Sequence, residues 1–301
     1  MLRRFLPTLL LLACVLAVVG TADAAMPTKE RKLRVAVLDF GDREMGRRVA
    51  DQLSYLFAPD EYLITVDRAL SRAAARGTGY AGSLNMTLAE ARDLGAAIDC
   101  DFFITGDAQT IRRSASARPP FHEAYASIFV VSARTGQLAM WERPSVEAET
   151  PDEAEKSLLA ALKTHAAKCR VAMLRGAQDE SIRRERERAR AEPAVEDAPE
   201  EGSPAAEGFR APQPYRRLRP PYPDTAARAE TEAIVDAAVE IDAGGEVRRI
   251  EIVRWAGFGL DDAVIETVRQ LHFRPAMRDG APVAVRVLLR YNFRRPPKSI
   301  P

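Results

Sequence analysis

Histidine and cysteine are scarce, three of each in 301 residues. So few leave little material for a metal centre or a thiol enzyme. Net charge is lacking too: 44 Lys and Arg stand against 43 Asp and Glu, a formal +1 at pH 7. Nucleic-acid-binding domains carry a strong positive field, so nucleic acid is not an expected partner. The apolar run at residues 5–19 is shorter than the ~20 residues a spanning helix needs. What is left is a chain expected to act by binding, not as an enzyme, with no cofactor and no metal.

The N-terminus reads as a secretory signal over residues 1–24. Arg3 and Arg4 precede the apolar run, and Ala22 and Ala24 flank Asp23 in the small-x-small pattern that signal peptidase cuts. This predicts an exported, periplasmic protein. Two other outcomes stay open: lipidation at Cys14, and an uncleaved segment anchoring the chain to the membrane with its bulk facing the periplasm. Membrane contact enters only through those alternatives. Cleavage leaves Cys100 and Cys169, which either form a disulfide in an oxidising compartment or stay as separate buried thiols.

Residues 31–174 alternate short apolar runs with helical stripes, the pattern of a small α/β domain with a mixed sheet and helices. Strands are expected at 35–38, 62–66, 102–106, 125–131 and 138–146. Helices are expected after residue 49, over 67–76, from Leu88 to near Gly95, and after Thr150. Thr87 with Glu90, and Thr150 with Glu153, form capping boxes. Leu158, Leu162, His165, Cys169 and Met173 share a helical stripe, which makes His165 a satisfied core histidine. The runs 34–40, 62–68, 94–96 and 101–106 resemble the periplasmic α/β domains of TolB N-termini, CsgG and FlgO, which implies an envelope-assembly module.

Residues 175–213 crowd Arg, Glu, Asp and Pro with almost no large apolar side chains, so they read as a charged linker, disordered or partly helical. Residues 214–295 carry the sharper pattern. Two β runs at 234–241 and 247–255 flank a Gly244-Gly245 turn. Leu260, Val264, Val268 and Leu271 form a helical stripe. The last run sets Val283, Val285, Val287, Leu289, Tyr291 and Phe293 against Arg286, Leu288, Arg290 and Asn292. Together with Tyr222-Pro223, Gly259-Leu260-Asp261, Phe273-Arg274-Pro275 and Tyr291-Asn292-Phe293, this order and spacing resemble the C-terminal domain of the TonB family.

That resemblance implies a small α+β fold of hairpin, helix and final strand. It also implies capture of a periplasmic or outer-membrane protein segment by strand addition at the final strand. The partner-binding residues expected on this basis are Tyr222, Pro223, Val283, Val285, Arg286, Val287, Arg290, Tyr291 and Arg294, with the arginines favouring an acidic segment. Three functions remain in view: an envelope adaptor, a true energy transducer for outer-membrane receptors, and a homo-oligomeric scaffold in which the partner is a second copy.

Other patterns carry less. Gly77-Thr78-Gly79-Tyr80-Ala81-Gly82 has the letters of a dinucleotide fingerprint but follows a helix, where that site needs a strand. Asp99, Asp101 and Asp107 lack metal-ligand spacing and are expected at helix ends and turns. His122, His165 and His272 fall in different elements, with no nucleophile motif beside them. Asn85 opens a glycosylation sequon whose Thr87 is already used as a helix cap.

Overall fold

A computed structural model describes residues 31–115, 118–189, 195–200 and 202–295. The expected signal segment 1–24, with Cys14, lies outside them. The chain begins with β1 (Leu33–Val37), α1 (Glu44–Phe57), β2 (Leu63–Thr65), α2 (Arg68–Gly77) and α3 (Leu88–Ile98). It continues through β3 (Phe102–Ala115), β4 (Arg118–Ser132), β5 (Leu138–Glu142), β6 (Ser145–Ala148) and α4 (Pro151–Ala189). The strands form one mixed sheet in the order β2-β1-β3-β4-β5, with β6 also on β4. β1 is parallel to β2 and β3, and the rest are antiparallel.

Several local predictions have direct counterparts. Thr87 and Glu90 form the reciprocal capping box, and the Thr150 hydroxyl accepts the Glu153 amide. Others differ for physical reasons. Gly95 does not stop α3, which runs to Ile98 and ends on Asp99 in the left-handed region. Instead a Cβ at Gly95 would lie 2.3 Å from that of Ala133, so glycine lets the helix approach the sheet closely. The predicted strand at 138–146 is two strands, broken at Arg143 and Pro144. β3 and β4 form a hairpin longer than predicted, because its outer half is polar and lacks an apolar alternation to mark it.

The sheet has two apolar faces, each with its own cover. Val35, Val37, Phe102, Ile104, Ile128 and Val130 pack under α1 and α4 with Leu53, Leu158, Leu162 and Met173. Ala36, Leu38, Phe103, Phe129 and Val131 face the other way, where α3 and the C-terminal region cover them. Cys169 belongs to the first face, while Cys100 packs against the second. Both thiols are free. The disulfide between them is therefore corrected: the sheet stands between the two side chains. Burial pushes each thiol up to about 12.

Past α4 the described chain forms β7 (Phe209–Arg210), β8 (Gln213–Pro214), α5 (Asp224–Ala229), β9 (Ala233–Ile241), β10 (Val247–Arg254) and α6 (Leu260–Arg269). It closes with β11 (Phe273–Arg274), β12 (Ala276–Arg278), β13 (Ala281–Val283) and β14 (Val285–Phe293). β9 lies at the centre of a three-stranded sheet between β10 and β14, with α6 packed on it. Val283 leaves the predicted final strand and pairs with Ala276 in the β12-β13 hairpin. The charged stretch is helical to Ala189, and from residue 195 its described part lies along the C-terminal strands: β7 pairs with β12 and β8 with β11.

The two regions share apolar contacts instead of hanging from a spacer. Trp255 is 1% exposed, stacks on Phe129 with ring centroids 5.8 Å apart, and donates its indole N–H to the Gly136 carbonyl at 3.0 Å. Phe258 packs edge-on to Phe129 and tilted against Trp141. Gly257 has φ +72°, and a Cβ there would meet the Phe129 ring at 2.5 Å, so this turn needs glycine to seat. Asn85 completes the join, giving its amide to the carbonyls of Ile234 and Trp255 and accepting the Ile234 N–H. The sequon reading of Asn85 missed this role, since nothing in its local sequence shows it.

Candidate interaction edge

The candidate site follows from how β14 sits. It pairs antiparallel with β9 without a break, from Val285 opposite Ile241 to Phe293 opposite Ala233. Val285, Val287, Leu289, Tyr291 and Phe293 turn toward the apolar side, and Leu288, Arg290 and Asn292 are exposed. Among the described residues no further strand lies on its other side, so β14 is an edge. The outward direction is fixed at Arg286, whose amide donates to the Glu196 carbonyl at 2.9 Å and whose carbonyl accepts the Ala198 amide at 2.8 Å. Backbone groups alternate along a strand, so Leu288, Arg290 and Asn292 present the same outward donor and acceptor. Among the described residues these three have no backbone partner on that side.

The arginines of β14 are not a free cationic stripe. Arg290 holds Asp236, whose side chain is 5% exposed, through two hydrogen bonds at 2.7 and 3.0 Å, and Arg254 adds a third at 3.4 Å. The Arg290 hydrogen bond comes first in holding the Asp236 carboxyl below the usual range. Arg286 pairs with Glu251 on β10 at 2.9 Å. Arg290 thus pairs with its neighbour on β9 and Arg286 reaches across β9 to β10, and only Arg294, beyond the strand, is exposed without such a partner among the described residues. The one signal of this in the sequence is an Asp in the apolar run of β9.

Of the other residues expected to meet a partner, Tyr222 lies beneath the end of β14, its ring 6.3 Å from that of Phe293 and its hydroxyl donating to the Thr231 carbonyl. Pro223 caps α5 beside it. Val285, Val287 and Tyr291 support the strand from inside. The structure places Val285, Val287 and Tyr291 on the inner face of β14, Tyr222 beneath its Phe293 end, and Val283 in the β12-β13 hairpin.

A second feature is an open cleft of about 510 Å³ between β5 and β10, lined by Trp141, Ile252, Trp255, Arg183 and Arg249. Asp261 also lines it. Its two carboxylate oxygens accept the Ala256 and Gly257 amides at 2.9 and 2.7 Å, closing the turn after β10. Burial outweighs those bonds and pushes its carboxyl up to about 6. Among the described residues no cluster of three or more His, Cys, Asp and Glu side chains is placed to hold a metal ion, and no helix is long and apolar enough to cross a membrane. Asp99 instead pairs with Arg34, Asp101 accepts the Arg34 amide, and His165 pairs with Glu142.

Residues 219–294 match the family model described as the Gram-negative bacterial TonB protein C-terminal. The C-terminal region therefore contains a TonB-type C-terminal domain. Among solved structures, the chain is similar to the TonB C-terminal domain of Pseudomonas aeruginosa, at 21% identity over 29% of this chain and 89% of that one, TM-score 0.25. It is also similar to the hypothetical protein CT253 of Chlamydia trachomatis, at 11% identity over 45% and 98%, TM-score 0.32. A third likeness is to E. coli LpoB, at 10% identity over 49% and 83%, TM-score 0.29. No curated protein sequence matches the chain.

Proposed function

We propose that this chain is a non-enzymatic cell-envelope adaptor that captures an extended segment of a periplasmic or outer-membrane protein by adding it to the outer edge of β14. One observation carries the reading: in a TonB-type domain, Leu288, Arg290 and Asn292 hold amides and carbonyls that have no partner among the described residues, along an exposed edge. Such a row is completed by a partner backbone, which supplies affinity, while neighbouring side chains select the sequence. The arginines contribute differently from first expected, since Arg286 and Arg290 brace the sheet and leave Leu288, 58% exposed, as the apolar contact beside the edge.

The N-terminal region then serves as the docked body that holds the edge in place, with Trp255 and Phe258 as its anchors. The envelope location rests on the signal pattern of residues 1–24, and the intact mass of the protein from its native host tests cleavage after Ala24. The binding reading is tested by photocrosslinking in that host, with probes at Leu288 and Asn292 and a control at Lys163 on α4. Adducts to an envelope protein from the two edge probes alone are the expected result. Adducts only to a second copy of the chain support the scaffold instead, and no adducts at either position remove strand capture.

A further inference from the structure

The start of the β14 edge is already occupied. Glu196, Asp197 and Ala198 lie beside Arg286 as a one-residue parallel bridge, closed by the Arg286 amide to the Glu196 carbonyl and the Ala198 amide to the Arg286 carbonyl. The Glu196 carboxylate also reaches Arg278 on β12 at 3.5 Å. Pairing ends there. The next residue is Pro199, and the chain turns away through the Ser203 amide to the Glu200 carbonyl. The following described residues run on beneath, as β7 on β12 and β8 on β11. The segment is thus held by its own domain and touches the edge at a single rung.

Resting on the capture reading above, we propose that residues 196–198 are a resident competitor for the β14 edge, and that the segment captured there shares their chemistry. That segment runs parallel to β14 and is extended, with an acidic side chain set to meet Arg278. The geometry makes the competition direct. A parallel partner pairing at Leu288, Arg290 and Asn292 can extend toward Arg286 only by taking the two hydrogen bonds now made to Glu196 and Ala198. One rung and one ion pair whose Glu196 side is largely exposed is a weak hold, suited to displacement by a strand that makes three or four rungs.

The test uses the full chain and the variant Ala198→Pro, which removes the amide donated to Arg286. The probe is a fluorescein-labelled peptide of residues 195–200, followed by anisotropy. Opening the edge is expected to tighten peptide binding about tenfold in the variant over the unaltered chain, the scale of one or two lost competing hydrogen bonds. A Glu196→Gln peptide is expected to bind the variant more weakly than the native peptide. Equal response of the two chains, including none from either, overturns the proposal.

Amide exchange supplies the second readout. In the unaltered chain the Arg286 amide should exchange more slowly than those of Leu288, Arg290 and Asn292, and the variant should lose that protection while the β9 amides keep theirs. An unprotected Arg286 amide in the unaltered chain overturns the competitor and leaves edge capture standing. A protected Arg286 with no adduct from Leu288 or Asn292 supports the competitor and removes capture by an outside partner.

Discussion

The two edges of the three-stranded sheet are built from similar strands and finished differently. β10 is closed at both ends: Glu246 bridges to His272 with the Phe273 amide on the Gly245 carbonyl, and Arg254 bridges to Thr87 with the Trp255 amide on the Met86 carbonyl. Among the described residues β14 is met only at its start, by a single rung from residues 196–198. An edge that the fold ties into its own body cannot grow a sheet, whereas one left open for most of its length can. The position of the Trp255 turn therefore does two things, joining the regions and closing one end of the β10 edge.

The largest effect should come from breaking the closed side. Trp255→Ala removes a fully buried indole and its hydrogen bond, and is expected to cost about 3–5 kcal/mol in urea unfolding. Unfolding that remains cooperative and unchanged in midpoint would show that the shared core is not what binds the two regions. Next in size is the brace under the open edge. Arg290→Met leaves Asp236 with only the longer Arg254 bond, and a lower unfolding midpoint is expected by the same measurement.

The two buried acids should also separate by pH. Asp236 is held low, so its contribution is present above the ordinary Asp pKa and is lost as pH falls below it toward the folded value. Asp261 is pushed up to about 6, so the folded state favours its protonated form, and its contribution weakens as pH rises from about 4 through about 6. Thermal melts from pH 3 to 8 should show a rise followed by a decline. Asp261→Asn should flatten the decline without touching the acid side. A decline of equal slope in that variant would assign it to another group.

The smallest effect on stability should come from the open edge itself. Leu288→Pro removes an outward amide that β9 does not use, and a proline is tolerated at such an edge position, so a change within about 0.5 kcal/mol is expected. A loss above about 2 kcal/mol would mean that this amide is already bonded within the chain.

Much of the architecture was legible in the sequence because it rests on local rules. The alternation from Val285 to Phe293, the Thr87 and Glu90 cap, and the glycine turn at Gly244 and Gly245 each state their structure within a few residues. The site was half legible. The alternation marks β14 as a strand with one exposed face, but the sequence shows Arg286 and Arg290 as charges without showing that Glu251 and Asp236 consume them. Those pairings depend on strand register across β9. Nor does anything local mark residues 196–198, since a rung made by backbone atoms imposes no side-chain pattern. The polar ends of β3 and β4 were missed for the same reason.

The most direct test of edge capture compares photocrosslinking from Asn292 in the native host between the otherwise unaltered chain and one also carrying Leu288→Pro, with a probe at Arg248 marking the closed edge. The account predicts an adduct to an envelope protein from Asn292, its loss with the proline, and none from Arg248. An Asn292 adduct unchanged by the proline, or the same adduct from Arg248, would contradict it.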